Sequence, residues 1–153
     1  MILGIHSDLD TFKSLTFHGG LNILVADRTE ASTEGQTRNS AGKTSAIEVI
    51  HFLTGADAGK GSLFQSPALS NHAFHGRFLL GGNEVTIPRK GTAANQILIG
   101  DENVRAIGAE LTRDRKTNSC PLPVQRWREL LGHFWIGLPH DPKTGSALWT
   151  YRV

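Results

Sequence analysis

Residues 37–45 constrain the fold more than any other segment of the chain, because they read Thr-Arg-Asn-Ser-Ala-Gly-Lys-Thr-Ser. An apolar run, residues 21–26, precedes this segment, and a run with helical spacing, residues 46–53, follows it. A strand, a loop ending in Gly-Lys-Thr and a helix, in that order, are typical of a loop that binds nucleotide phosphates at a helix N-terminus. The sequence therefore predicts a phosphate loop fed by a central strand that is buried on both faces.

Three residues of this loop have separate chemical roles. Gly42 lets the backbone approach the phosphates, Lys43 reaches the β- and γ-phosphates with its charge, and the Thr44 hydroxyl is placed to bind Mg²⁺. Lys43 is thus the candidate catalytic residue and Thr44 the candidate metal ligand. Arg38 either reaches the nucleotide or is a solvated loop arginine. The predicted nucleotide contacts are Arg38, Asn39, Ser40, Ala41, Gly42, Lys43, Thr44 and Ser45.

Position 37 departs from the full phosphate-loop pattern, which has glycine five residues before Gly42. Thr37 is β-branched, and a backbone turn through positive φ is costly for such a residue. Gly35 could take part of that turn in a longer loop. The alternative is a helix start capped by Ser or Thr, in which Gly-Lys-Thr occurs by chance.

Length and composition predict one soluble globular domain. The chain has 153 residues, of which 39% are hydrophobic and 20% charged, and its net charge of +2 does not indicate a nucleic-acid binder. Its one cysteine, Cys120, excludes an internal disulfide, is expected to be structural, and suits a reducing cytoplasm. No apolar run approaches the roughly 20 residues of a membrane span, and the N-terminus lacks a signal pattern.

Alternating apolar residues and turn residues predict several strands. Residues 1–8 and 12–17 are expected to form strands, in addition to residues 21–25. Residues 77–87 are predicted to form a hairpin around a Gly-Gly turn, and residues 96–106 a second hairpin of the same form. Together the hairpins predict an antiparallel layer over residues 77–107.

Apolar spacing predicts two helices. In the first, Ala46, Val49, Ile50 and Leu53 share one face, which Ile47 and Phe52 widen, and Gly55 ends the helix. The second helix starts at Pro123 and could end at Gly132. Its apolar stripe consists of Val124, Trp127, Leu130, Leu131 and Phe134.

Residues 17–24, Phe-His-Gly-Gly-Leu-Asn-Ile-Leu, and residues 38–48, Arg-Asn-Ser-Ala-Gly-Lys-Thr-Ser-Ala-Ile-Glu, resemble the N-terminal part of SMC/RecF/RecN-class ABC-type ATPase heads. Residues 48–55 are similar to a bacterial subgroup of coiled-coil ATPases found near mobile or defence loci. The resemblance is specific over residues 1–55 and rests on the hairpins alone over residues 77–107. It implies an α/β fold, namely a P-loop NTPase lobe that has a mixed sheet, a phosphate-loop helix and an antiparallel hairpin layer.

The same resemblance implies function. It implies ATP and Mg²⁺ as cofactors, with ATP bound at residues 39–45, a homodimer of heads closed around ATP, and work on DNA or on a partner complex. The sequence has no Leu-Ser-Gly-Gly-type signature and no heptad run. Asp101 and Glu102 resemble an acidic strand end that binds Mg²⁺, but they fit the turn of a hairpin better. Residues 1–153 are therefore expected to be the first lobe of a longer ATPase, and the chain alone to hydrolyse ATP very slowly.

Two other classes of function stay open. A P-loop kinase would use a lid of arginines, for which residues 113–116 are a candidate, although such a charge run is more often a solvated loop. A GTPase would need an Asn-Lys-x-Asp motif, which the sequence lacks. A non-catalytic interaction fragment with a vestigial loop is the third possibility, since Thr37 breaks the pattern.

Overall fold

The computed structural model describes residues 1–25, 43–100, 103, 105, 107 and 120–139. This part of the chain is a mixed α/β fold with antiparallel sheets and two α-helices. Its elements are, in order, β1 (Ile2–Ser7), β2 (Leu15–Thr16), α1 (Lys43–Leu53), β3 (Ala73–Leu80), β4 (Asn83–Lys90), β5 (Gln96–Ile99), β6 (Cys120–Pro123) and α2 (Val124–Ile136). Two single-turn 3₁₀ helices, Leu63–Gln65 and Gly91–Ala93, flank the β3–β4 hairpin.

The larger sheet has four antiparallel strands in the order β2-β1-β3-β4. Strands β3 and β4 form a hairpin whose register runs from Leu80 opposite Asn83 to Ala73 opposite Lys90. The turn consists of Gly81 and Gly82, with φ of 55° and 84°. Two consecutive positive φ angles match the right-handed twist of the strands. The first predicted hairpin is therefore confirmed, and it is longer than its apolar residues indicated.

The core lies between one face of this sheet and the two helices. Alternate residues of β3 and β4 are buried against α1, and the Phe78 ring meets the Trp127 ring of α2 edge-on at 5.2 Å. A second aromatic group joins Phe52 of α1, Phe64 of the first 3₁₀ turn and Phe74 of β3. Cys120 is also buried, as expected for a structural cysteine. The helices are thus attached to the sheet by large apolar side chains.

The first helix matches its predicted span and apolar face, with one exception. Ala46, Val49 and Leu53 are buried, whereas Ile47 is 53% exposed and does not widen the face. Gly55 has φ of +107°, and its N–H donates to the Phe52 carbonyl at 3.0 Å. The predicted glycine cap is therefore confirmed.

The second helix continues past Gly132, where the sequence suggested that it could end. It runs to Ile136 and is closed by Gly137 in the left-handed region, with φ of 67°. A Cβ at position 132 would lie 2.8 Å from the Leu138 side chain. Gly132 thus provides room for the residue that folds back over the helix end.

The second predicted hairpin is wrong. Strand β5 pairs with β6, and Asn103, Arg105 and Ile107 are helical. The Asn103 carboxamide accepts from the Thr86 N–H at 3.4 Å and donates to the Thr86 carbonyl at 3.0 Å. A side chain therefore takes the hydrogen bonds at the outer edge of β4 that another strand would otherwise take.

The expected central strand is also wrong. Residues 21–25 form no strand, and Leu21, Ile23 and Val25 are 78%, 75% and 73% exposed. The strand expected over residues 12–17 is reduced to Leu15–Thr16. All paired strands in the described part of the chain are antiparallel, so the expected mixed sheet is not found there. An apolar run becomes a buried strand only when neighbouring strands accept its backbone groups, and no described strand lies beside this one.

Candidate functional site

Helix α1 begins at Lys43, so Lys43 and Thr44 of the Gly-Lys-Thr motif lie in its first turn. Thr44 and Ser45 are exposed in its first turn, and the apolar face begins with the buried Ala46. The first turn carries no acidic residue that would repel an anion. The N–H groups in the first turn of an α-helix have no partners within the helix, and the positive end of the helix dipole lies there.

The structure thus places three of the eight predicted contact residues together. Lys43, Thr44 and Ser45 share the first turn of α1. Residues 38–42 lie outside the described residues, as does the side chain of Lys43. The predictions for the loop, the acidic pair and the arginine lid fall on residues 26–37, 101–102 and 113–116, which also lie outside the described residues.

The opposite end of α1 is held by side chains from β4 and α2. The Trp127 indole N–H donates to the Leu53 carbonyl at 2.8 Å, and Arg128 Nε donates to the Gly55 carbonyl at 2.7 Å. The Arg89 guanidinium donates to the carbonyls of Phe52 and Ala56. Cations and N–H donors at a helix C-terminus satisfy its free carbonyls and stabilise its dipole. We call Arg89, Trp127 and Arg128 the α1 clamp.

Arg89 is the buried charge of this clamp, with 2% of its surface exposed. Its guanidinium lies 4.2 Å from the centre of the Phe52 ring, and Nε donates to the Ala94 carbonyl at 2.9 Å. Burial, with a smaller contribution from the charge of Arg128, lowers the pKa of Arg89 to about 10. The side chain therefore stays protonated at neutral pH, stabilised by carbonyl dipoles and an aromatic face.

The clamp was missed by sequence analysis. Its residues are 33 to 74 positions away in sequence from the carbonyls that they bind at the end of α1 and just beyond it. A helix C-terminal signal is read from cations in the last turn, and the last turn of α1 carries only His51. The sequence contains one sign of the clamp: Arg89 stands at a position of β4 where the alternation of side chains predicts a buried residue.

A groove of about 380 Å³ lies beside the clamp, at the end of α1 away from Lys43. Its lining residues are His51, Thr54, Gly55, Ala56, Asp57 and Arg128. Arg128 is paired with Asp57 across this groove. An eleven-residue helix is about 16 Å long, so the groove is separate from the candidate nucleotide site.

The described residues contain no group of three or more His, Cys, Asp or Glu side chains that could hold a metal ion. This does not bear on Mg²⁺ at Thr44, since Mg²⁺ in nucleotide sites takes most of its ligands from phosphates and water. The assignment of Thr44 stays a prediction.

The fold defines only a broad class, a mixed α/β protein with helices packed on one face of an antiparallel sheet. No helix among the described residues is long and apolar enough to cross a membrane. Comparison of the chain with protein-family models, curated proteins and solved structures found no match.

Proposed function

We propose that this chain is the ATP-binding part of an SMC/RecF-like ATPase that acts on DNA in repair, maintenance or defence. The observation that supports this most is the start of α1 at Lys43, with Thr44 and Ser45 exposed in the first turn. Lys43 and Thr44 of the sequence motif lie in the first turn of this helix. Such a position is what the phosphate-loop interpretation requires.

The chemistry of the helix end supports anion binding. The N–H groups of a first helical turn, two exposed hydroxyls and the lack of an acid in that turn all favour phosphate. The α1 clamp fixes the helix at its other end, and a rigid element positions a ligand more accurately than a loop does. In this proposal ATP occupies residues 39–45, Lys43 binds the β- and γ-phosphates, and Thr44 binds Mg²⁺.

The rest of the proposal concerns assembly. Two copies would close around ATP as a homodimer, with DNA or a protein complex as partner. In this proposal the acidic catalytic residue comes from the remainder of a longer ATPase.

A non-catalytic interaction fragment is the second candidate. The observation that favours it is the exposure of Leu21, Ile23 and Val25, each more than 70% accessible to solvent. Exposed apolar segments of this kind often mark protein contacts. In this case the loop at residues 37–45 would be vestigial and would bind no nucleotide.

Calorimetric titration with ATP–Mg²⁺, GTP–Mg²⁺ and ATP plus EDTA separates these candidates. The proposal predicts that ATP–Mg²⁺ binds, and that removing Mg²⁺ weakens binding. Preference for GTP would instead support another nucleotide-dependent enzyme. No binding of either nucleotide would contradict the proposal and favour the interaction fragment.

A further inference from the structure

Two histidines face each other on the side of the larger sheet that the helices leave uncovered. The β1–β3 register places His6 directly opposite His75. Their neighbours Ile5 and Phe74 are buried on the helix side, so the alternation of side chains directs both imidazoles to the other face. The ring centres are 4.5 Å apart and the ring planes lie within 7° of parallel.

The nitrogens of these rings are available to a ligand. Neither ring hydrogen-bonds to any residue in the described part of the chain, and both side chains are half-buried. Burial, followed by the charge of His6, lowers the pKa of His75. Neutral imidazole is the form that binds metal ions.

We propose that His6 and His75 form a two-imidazole site for a transition-metal dication such as Zn²⁺ or Ni²⁺, with water completing the coordination. At a metal–nitrogen distance of about 2.0–2.1 Å, tetrahedral geometry places the two nitrogens about 3.3 Å apart. The χ2 angle of histidine is broadly distributed. In the stacked arrangement the nitrogen lone pairs lie in nearly parallel planes, so an ion would be bound after the two rings rotate to bring one nitrogen of each together. Imidazole nitrogens select such ions over Mg²⁺ and Ca²⁺, which prefer oxygen.

Charges around the pair set the strength of the site. The Asp8 carboxylate lies beside it, where it accepts from the Ala73 N–H at 3.0 Å and contacts His72 Nδ1 at 2.9 Å. Asp8 favours positive charge at His75 more strongly than Lys90 opposes it. On the same face Arg77 is neutralised by Glu84, with Nε and Oε1 2.7 Å apart. The nearby charges therefore tolerate a dication.

Binding of a metal ion would cross-link β1 to β3, and it would not depend on whether the chain binds a nucleotide. The site lies on the sheet face opposite to α1, so failure of the nucleotide proposal would leave it unaffected. Since both strands belong to the four-stranded sheet, an ion bound by the folded chain alone should also raise its melting temperature.

The test is titration of the tag-free chain with Ni²⁺ and with Zn²⁺ at pH 7.5. His6→Ala and His75→Ala should each weaken binding by about 100-fold or more, because loss of one ligand removes the intramolecular second contact. His18→Ala and His51→Ala are the matched controls, since both of these side chains are exposed and neither belongs to the pair. The controls should bind as the unaltered chain does. Equal affinity in all five proteins, or no binding by the unaltered chain, would overturn the proposal.

A second measurement needs no variant and therefore does not depend on how the variants fold. Substoichiometric Ni²⁺ should broaden the imidazole NMR signals of His6 and His75 before those of His18, His51 and His133. Simultaneous broadening of all imidazole signals would overturn the proposal.

Discussion

Arg89 lies where α1, β4 and the segment after β4 meet. Its guanidinium donates hydrogen bonds to carbonyl groups at the end of α1 and in the segment after β4. It donates to Phe52 and Ala56 at the end of α1 and to Ala94 beyond β4. A buried cation is costly unless its donors are satisfied, and here carbonyl groups and the Phe52 ring satisfy them. The position of α1, and with it the candidate nucleotide site, depends on this residue.

Replacing Arg89 with methionine should lower the free energy of unfolding by about 3 kcal/mol, because buried carbonyls lose their donors. Urea unfolding at pH 7 measures this loss. Arg77→Met is the matched control, because Arg77 lies on the adjacent strand in an exposed ion pair with Glu84, and it should change stability little. Equal losses in the two variants would contradict the role given to Arg89.

His75 should make stability depend on pH. Because burial lowers its pKa below the ordinary 6.5, the unfolded chain takes up this proton more readily than the folded chain. The contribution of His75 to the free energy of unfolding is therefore fully present above pH 6.5, and it is lost as the pH falls below that value. The free energy of unfolding, measured in EDTA from pH 7.5 to 5.5, should fall more steeply for the unaltered chain than for His75→Gln.

The pH range of this unfolding measurement stops at 5.5 so that protonation of Asp8 does not affect the result. A backbone hydrogen bond from Ala73 is the main cause that lowers the pKa of Asp8 below 3.8, so its contribution is lost only at more acidic pH. Identical slopes for His75→Gln and the unaltered chain would show that His75 does not carry the effect.

At the scale of elements, the end of α1 is set by Gly55. Its φ of +107° is strained for any residue with a side chain, and a Cβ there would lie 2.7 Å from Arg128 Cγ. Gly55→Ala should therefore cost about 2 kcal/mol of stability. Gly59→Ala is the control, because a Cβ at position 59 meets nothing within 4 Å and its φ is not positive. A urea midpoint for Gly55→Ala as high as that of Gly59→Ala would contradict this account of the helix end.

The elements predicted correctly from sequence are those whose signals are local. The β3–β4 hairpin follows from alternation around Gly81 and Gly82, which take up the positive φ angles of its turn. Helix α1 follows from apolar spacing and from the glycine at its end. In both, residues close in sequence supply the contacts that decide the structure.

The elements predicted wrongly depend on distant partners. Residues 21–25 have the composition of a buried strand, but burial requires neighbouring strands that sequence alone cannot place. The second hairpin fails because the Asn103 side chain binds Thr86 at the edge of β4, while β5 pairs with β6. Of the candidate site, the sequence predicted a helix that follows the Gly-Lys-Thr motif, but not the clamp that holds the other end of that helix.

At the scale of the whole molecule, exposed apolar residues predict self-association. Leu21, Ile23 and Val25 are close in sequence and each is more than 70% exposed, and exposed apolar surface of this kind marks contacts. Analytical ultracentrifugation should show a concentration-dependent dimer or larger species. The double variant Ile23→Lys/Val25→Lys should weaken this association. Ile136→Lys should not, because Ile136 is 71% exposed but lies at the end of α2. A clean monomer of the unaltered chain at tens of micromolar would contradict the prediction.

The central claim is that Lys43 binds the phosphates of ATP at the start of α1, and one comparison tests it most directly. Calorimetry with ATP–Mg²⁺ should be run on the unaltered chain, on Lys43→Ala and on Lys60→Ala. Lys60 is an exposed lysine outside the motif, so its removal changes the net charge equally. Lys43→Ala should weaken binding about tenfold or more, because a charge-assisted contact is worth about 1.5–3 kcal/mol, whereas Lys60→Ala should bind as the unaltered chain does. Equal affinity of all three proteins for ATP would contradict the claim.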